Sequence, residues 1–93
     1  MTAAAIVHDP RAQRFTAEVE GGTAECAYRL VGTRMDIVHT EVPPQAEGRG
    51  VAAALVRAAL AHARTQGWQV RPLCSYVAAY MRRHPETQAL LAS

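Results

Sequence analysis

Gln45-Ala46-Glu47-Gly48-Arg49-Gly50 runs directly into an alanine-rich segment from Val51 to Leu60, and a strand-like stretch, Met35 to Val42, precedes it. Few other arrangements constrain a chain as tightly. A glycine-bearing loop that leads from a strand into a helix N-terminus is built to hold an anion. Glycine has no Cβ, so backbone N–H groups at Gly48 and Gly50 come close to phosphate oxygens. The first turn of the following helix has N–H groups without intrahelical partners, and its dipole favours negative charge. Arg49 adds a guanidinium suited to phosphate. The loop therefore implies a phosphorylated ligand, and it excludes two common ones. A P-loop requires a lysine after its last glycine, and the chain has no lysine. A dinucleotide fingerprint requires Gly-x-Gly-x-x-Gly, and position 53 is alanine.

The residues before the loop read as strands. Phe15, Ala17 and Val19 alternate with polar neighbours, as do Ala24, Cys26, Tyr28 and Leu30. Gly21-Gly22 and Gly32-Thr33 punctuate them, which predicts an antiparallel meander with tight turns. A short first strand is expected over Ala4 to His8, ended by Asp9-Pro10. Pro43-Pro44 ends the Met35 strand, because neither residue donates to a ladder. After the loop the period becomes helical. From Gly50 to about Thr65 only a narrow stripe at 53, 57, 61 and 64 is polar or small, so this helix lies on a sheet. Gly67 stops it. Trp68 to Leu73 is a further strand, and the β-α-β connection makes it parallel to the Met35 strand with a right-handed crossover. Ser75 is placed to cap a second helix that turns Tyr76, Val77, Tyr80, Met81 and His84 to one face and Arg82 and Arg83 outward. Pro85 opens a short last turn or helix. The reading is an α/β (α+β) fold, one domain over residues 1–93.

Composition narrows the function. The net charge is +2, and all ten basic residues are arginines spread along the chain, which argues against a nucleic-acid binder. No apolar run is long enough for a membrane span, and the N-terminus lacks the basic region of a signal peptide, so the expected location is the cytoplasm. Cys26 and Cys74 share no Cys-x-x-Cys spacing, and the histidines at 8, 39, 62 and 84 show no metal-ligand spacing, so no metal is expected.

Gln-x-x-Gly-x-Gly before an alanine-rich helix resembles the acetyl-coenzyme A signature of the GNAT N-acetyltransferase superfamily. His39-Thr-Glu-Val-Pro-Pro44, the loop and helix, Pro72-Leu-Cys-Ser-Tyr-Val-Ala-Ala-Tyr80 and His84-Pro-Glu86 resemble a small, single-domain branch of it, over roughly Ala24 to Leu91. The resemblance implies a minimal GNAT fold: a mostly antiparallel twisted sheet, one parallel pair that splays apart, and two or three helices. It implies acetyl-coenzyme A as co-substrate, with Thr40, Glu41 and Val42 pairing with the pantetheine arm. Gln45, Ala46, Glu47, Gly48, Arg49, Gly50, Val51 and Ala52 would hold the pyrophosphate. Ser75, where the second helix starts, joins the cofactor-binding set.

Three residues are candidates for catalysis. Cys74 ends the second splayed strand, where a thiol either relays the acetyl group or lines the site, and where a helix N-terminus favours the thiolate. A buried free cysteine is the plainer alternative. His39, placed on the Ile37 face of its strand, titrates near working pH and suits a base that deprotonates an ammonium; a half-buried strand histidine is the alternative. Glu41, on the His39 face, is another base. Cys26 is expected in the core. Tyr80 resembles the tyrosine that protonates the leaving thiolate in related enzymes, but Leu73 stands where they carry asparagine, which favours core packing. The implied activity is acetyl transfer to an amine. Only turns connect the early strands, so the helical wall that encloses the acceptor in larger relatives is missing. The acceptor is then large, such as a protein N-terminus or lysine, or a partner chain completes the site. A coenzyme A-binding module without efficient transfer is the remaining reading. A monomer or weak homodimer is expected.

Overall fold

The computed structural model describes residues 5–92. Five strands form one sheet in sequence order: β1 (Ile6–Asp9), β2 (Arg14–Val19), β3 (Gly22–Val31), β4 (Arg34–Glu41) and β5 (Gln69–Pro72). The first four pair antiparallel, and β4 pairs with β5 in parallel. Helix α1 (Val51–Gln66) makes the crossover between β4 and β5. Helix α2 (Ser75–Arg83) follows β5, and a 3-10 segment, α3 (Pro85–Leu90), closes the chain. This is the mixed α/β architecture expected, one parallel pair included. The expected start of the first strand at Ala4 lies outside the described residues.

The period-two pattern of β2 and β3 sets the packing. Phe15, Ala17, Ala24, Cys26 and Tyr28 are buried on one face with Met35 and Ile37 of β4 and Val70 of β5. Leu55, Val56, Ala59, Leu60 and Ala63 of α1 and Val77, Tyr80 and Met81 of α2 join the same core. Burying a Leu or Val side chain contributes about 1.5–3 kcal/mol, so α1 is held by its apolar face. The opposite face of the sheet carries Arg14, Glu18, Glu25, Arg29, Asp36 and Arg71 in rows. Asp36 is nearly covered there, and the Arg34 fork, at 2.7 and 3.1 Å, holds its carboxyl below the usual carboxylate range.

The boundaries differ in small ways with clear causes. The β2–β3 turn is Glu20-Gly21 rather than Gly21-Gly22, because Gly22 pairs with Val19. A Cβ on Gly21, whose φ is 93°, would meet the side chain of Gln45, so this turn presses on the glycine loop. At the end of α1 the Gly67 and Trp68 amides close back onto Arg64 and Ala63, which delays β5 to Gln69.

The main departure is in β4. Tyr28 pairs with Ile37, but Ala27 pairs with His39, leaving Val38 as an extra residue in a β-bulge. A one-residue shift reverses every side chain beyond it. Ile37 is fully buried, whereas His39 is exposed on the other face. The expectation that His39 shares the face of Ile37 is therefore incorrect.

Truncation tests this packing. Leu55→Ala is expected to lower stability by about 2–5 kcal/mol in urea unfolding. Val31→Ala, on the uncovered face, is expected to stay within about 0.5 kcal/mol of the native protein.

Candidate functional site

Between β4 and α1 the chain makes a 3-10 turn at Pro44–Ala46 and then two left-handed glycines, Gly48 at φ 78° and Gly50 at φ 80°. Only glycine adopts these angles without strain. A Cβ at either would meet nothing within 4 Å, so both open onto free space. That space is a cavity of about 230 Å³ lined by Val42, Ala46, Glu47, Gly48, Gly50, Val51, Ala52, Ala53 and Tyr76. The first helical bond of α1 runs from the Ala54 amide to the Gly50 carbonyl at 3.0 Å. The amides of Val51, Ala52 and Ala53 thus precede the helical ladder. Gly50 brings no side-chain cap, and the first turn holds no acidic residue. An uncapped N-terminus of a four-turn helix beside an open cavity suits a phosphorylated ligand. Glycine backbone, free amides and cavity together fit the coenzyme A pyrophosphate.

The second element is the early end of the β4–β5 ladder. Its last pair is Ile37 with Pro72, and β4 continues through Val38, His39, Thr40 and Glu41 with no β5 partner. The Leu73 and Cys74 amides both donate to the Ile37 carbonyl, each at 3.0 Å, and the chain then turns into α2. This parting of two parallel strands is the splay. Cys74 sits at its apex. The Cys74 Sγ lies 3.6 Å from the Thr40 Oγ1 across the opening. Burial pushes the Cys74 thiol up, but the Thr40 hydroxyl and the Val77, Tyr76 and Thr40 amides outweigh it, and the net direction is down. No cap hydrogen bond is closed by geometry at α2; the amide dipoles act on the sulfur at longer range. Cys26 is the contrast. It is fully buried, and desolvation, helped by Cys74 and Glu25, pushes its thiol up to about 12.

Residues 14–90 match the family described as GCN5-related N-acetyl-transferase. The chain belongs to this family. It is 35% identical to human Protein NATD1 over 88 residues, covering 91% of this chain and 78% of that one. The corresponding protein of Gallus gallus is 34% identical, with 80% of its length covered. A GCN5-like protein from Staphylococcus aureus, solved by NMR, superposes with a TM-score of 0.78 at 25% identity. That match spans 100% of this chain and 92% of the other.

Against this family frame, the residues read from the sequence fall into three places. Val42, Ala46, Glu47, Gly48, Gly50, Val51 and Ala52 line the loop cavity. Thr40 and Cys74 meet at the splay. Gln45 and Arg49 belong to neither, because both engage the β2–β3 turn. Gln45 packs on Gly21, and Arg49 donates to Glu20 at 3.0 Å. Ser75 does not cap α2. Residue 74 stays extended because its amide is tied to Ile37, so Cys74 occupies the cap and Ser75 is the first helical residue. His39 does not join Cys74, since the bulge turns it to the opposite face from Thr40. There it meets two carboxylates: Glu25 lies 3.8 Å from its Nε2, and a ligand atom from each of Glu25, His39 and Glu41 lies within 4.8 Å of the others. Tyr80 is buried and stacks on His84 at 4.0 Å, a core role.

Two cavity residues and one partner escape a reading along the chain. Ala53 and Tyr76 line the cavity. Tyr76 stands one turn before Tyr80, so its helical spacing was a signal, but one shared with core positions. Glu25 reaches His39 only across strands, and no local pattern reveals it.

The thiol environments give a chemical test. In pH-dependent alkylation followed by mass spectrometry, Cys74 is expected to react with an apparent pKa below that of an ordinary thiol, while Cys26 stays unmodified in the folded protein. Thr40→Val removes a donor to the sulfur, so the Cys74 pKa is expected to rise and its alkylation at pH 7 to slow.

Proposed function

We propose that this chain is an acetyl-coenzyme A-dependent N-acetyltransferase, acting as one domain. The observation that carries the reading is the splay, which opens at the same point as the uncapped α1 N-terminus and its glycine cavity. The pyrophosphate lies on the Gly48–Ala52 backbone. The pantetheine arm runs along the unpaired edge of β4 at Thr40 to Val42, taking hydrogen bonds that β5 does not. The thioester then reaches the Thr40–Cys74 end of the opening. Backbone N–H groups at the splay polarise its carbonyl, where they bind the developing oxyanion more strongly than the ground state.

The acceptor enters from the uncovered face of the sheet. Its amine lone pair attacks the thioester carbon, the amide bond forms, and the carbon–sulfur bond breaks to release the coenzyme A thiolate. The amine proton passes to His39 or Glu41, directly or through water. Glu25 and Glu41 flank His39 on that face. Direct transfer is preferred over a Cys74 relay, because the base candidates face the acceptor side and the sulfur faces the helices. The β1–β2 connection is only residues 10–13, and the β2–β3 turn is Glu20-Gly21, so neither encloses an acceptor. A protein N-terminus or a lysine side chain suits such an open face. The same openness favours one other reading, an acetyl-coenzyme A-binding module with little turnover.

Calorimetric titration with acetyl-coenzyme A is the test. The native protein is expected to bind, and Gly48→Trp, with its indole in the cavity, is expected to lose binding while its circular dichroism spectrum is kept. Failure of the native protein to bind would remove the reading. With binding established, a panel of amines and peptides separates enzyme from module. Direct transfer further predicts that Cys74→Ala keeps turnover within about tenfold of native while His39→Gln/Glu41→Gln loses about 10²-fold or more. A relay predicts the reverse, with an acetylated native chain by intact mass.

A further inference from the structure

Glu25 and Glu41 are direct partners across β3 and β4. Like charges opposite one another on neighbouring strands destabilise a sheet, so two carboxylates in this register call for a cation. The protein supplies part of it. Arg14 of β2 donates to Glu25 Oε1 at 3.2 Å. That contact leaves Glu25 Oε2 turned toward His39, 3.8 Å from its Nε2. Among the described residues Glu41 makes no ion pair.

The bulge at Val38 completes the group. Beyond it His39 and Glu41, two residues apart, share the open face of the sheet with Glu25. Ala27 stands opposite His39, and its methyl group leaves the imidazole room to lean toward Glu25. One donor atom from each of Glu25, His39 and Glu41 then lies within 4.8 Å of the other two. No spacing along the chain marks this set, because Glu25 arrives from another strand.

An imidazole and two carboxylates on a rigid strand pair form a ligand set. Nitrogen and carboxylate oxygen sit about 2.0–2.2 Å from zinc, which spaces tetrahedral donors about 3.4 Å apart. His39 and Glu41 are exposed and Glu25 is half-buried, so rotation of their side chains closes the difference. The donor types also select the ion. Calcium asks for six to eight oxygen ligands, and this group offers two carboxylates and a nitrogen. Imidazole suits zinc and its transition-metal neighbours. Three protein ligands leave the fourth position of a tetrahedral ion to water.

We propose that Glu25, His39 and Glu41 bind a divalent transition metal, zinc foremost, and that the bound metal inhibits transfer. The binding stands on the three side chains alone. The inhibition rests on the reading above, in which His39 or Glu41 takes the amine proton. A lone pair coordinated to zinc does not accept that proton. Metal and acceptor then compete for one face of the sheet, while the donor site on the helix side is untouched.

The experiment is calorimetric titration with zinc chloride on the Cys74→Ala protein, which takes the half-buried thiol out of competition for the metal. One zinc per chain is expected. His39→Gln and Glu41→Gln, each added to that protein, are expected to weaken binding by about tenfold or more, since even outer-shell partners of a metal site are worth that much. Arg14→Gln is expected to strengthen it, because Glu25 Oε1 becomes free for the metal, and a gain of affinity does not come from a damaged fold. No zinc binding, an affinity untouched by His39→Gln and Glu41→Gln, or a loss of affinity in Arg14→Gln would each overturn the site. In the native protein with an acceptor, zinc is expected to inhibit competitively with the acceptor and not with acetyl-coenzyme A; any other pattern overturns the inhibitory role. Zinc binding as expected in a protein that does not bind acetyl-coenzyme A would keep the metal site and remove its role in transfer.

Discussion

The Ile37 carbonyl accepts two amides, those of Leu73 and Cys74, and the arrangement of the candidate site follows from that point. An ordinary parallel ladder would carry β5 further along β4. Here the second amide draws residue 74 back to the same acceptor, so the chain leaves the sheet and α2 begins at once. The backbone edge of β4 beyond Ile37 is left for another extended partner. The bulge at Val38 occurs at the same level. Together the two features convert the last four residues of a core strand into the floor of an opening.

The bulge also divides the chemistry between two faces. Thr40 and the sulfur of Cys74 lie toward the helices, in a partly dry setting where hydrogen-bond donors favour the thiolate. His39, Glu25 and Glu41 lie toward solvent, grouped from two strands. A donor held from the helix side and an acceptor arriving from the open side would meet across the thickness of a single sheet. Neither face has to accommodate both substrates, which suits a chain with no room for a separate acceptor-binding wall.

Much of this fold is legible along the sequence because the signals are local. Alternation in Phe15–Val19 and Ala24–Leu30, the turns near Gly21 and Gly32, the helical stripe at 53, 57, 61 and 64 and the stop at Gly67 each depend on residues within one element. The glycine loop is legible for the same reason, since backbone conformation and helix polarity are set over six residues. What is hidden depends on pairing between elements. Nothing in Asp36-Ile-Val-His-Thr40 marks Val38 as the extra residue, and without it His39 falls on the wrong face. Ser75 resembles a cap until the tie between Cys74 and Ile37 is known. Gln45 and Arg49 look free for a ligand, and their actual partners lie on a turn more than twenty residues earlier.

That turn has a role of its own. Gly21 touches Gln45, and Glu20 holds Arg49, an exposed pair worth about 0–1 kcal/mol. The ion pair is weak, but the contact joins the tip of a stiff hairpin to the most open backbone in the molecule. The β2–β3 hairpin therefore acts as a strut that sets where the glycine loop stands. Its length is then constrained in a way its surface position would not suggest: a residue inserted at Glu20-Gly21 would lift the prop from the loop, whereas a residue inserted at Gly32-Thr33, at the other end of β3, would leave the loop where it is.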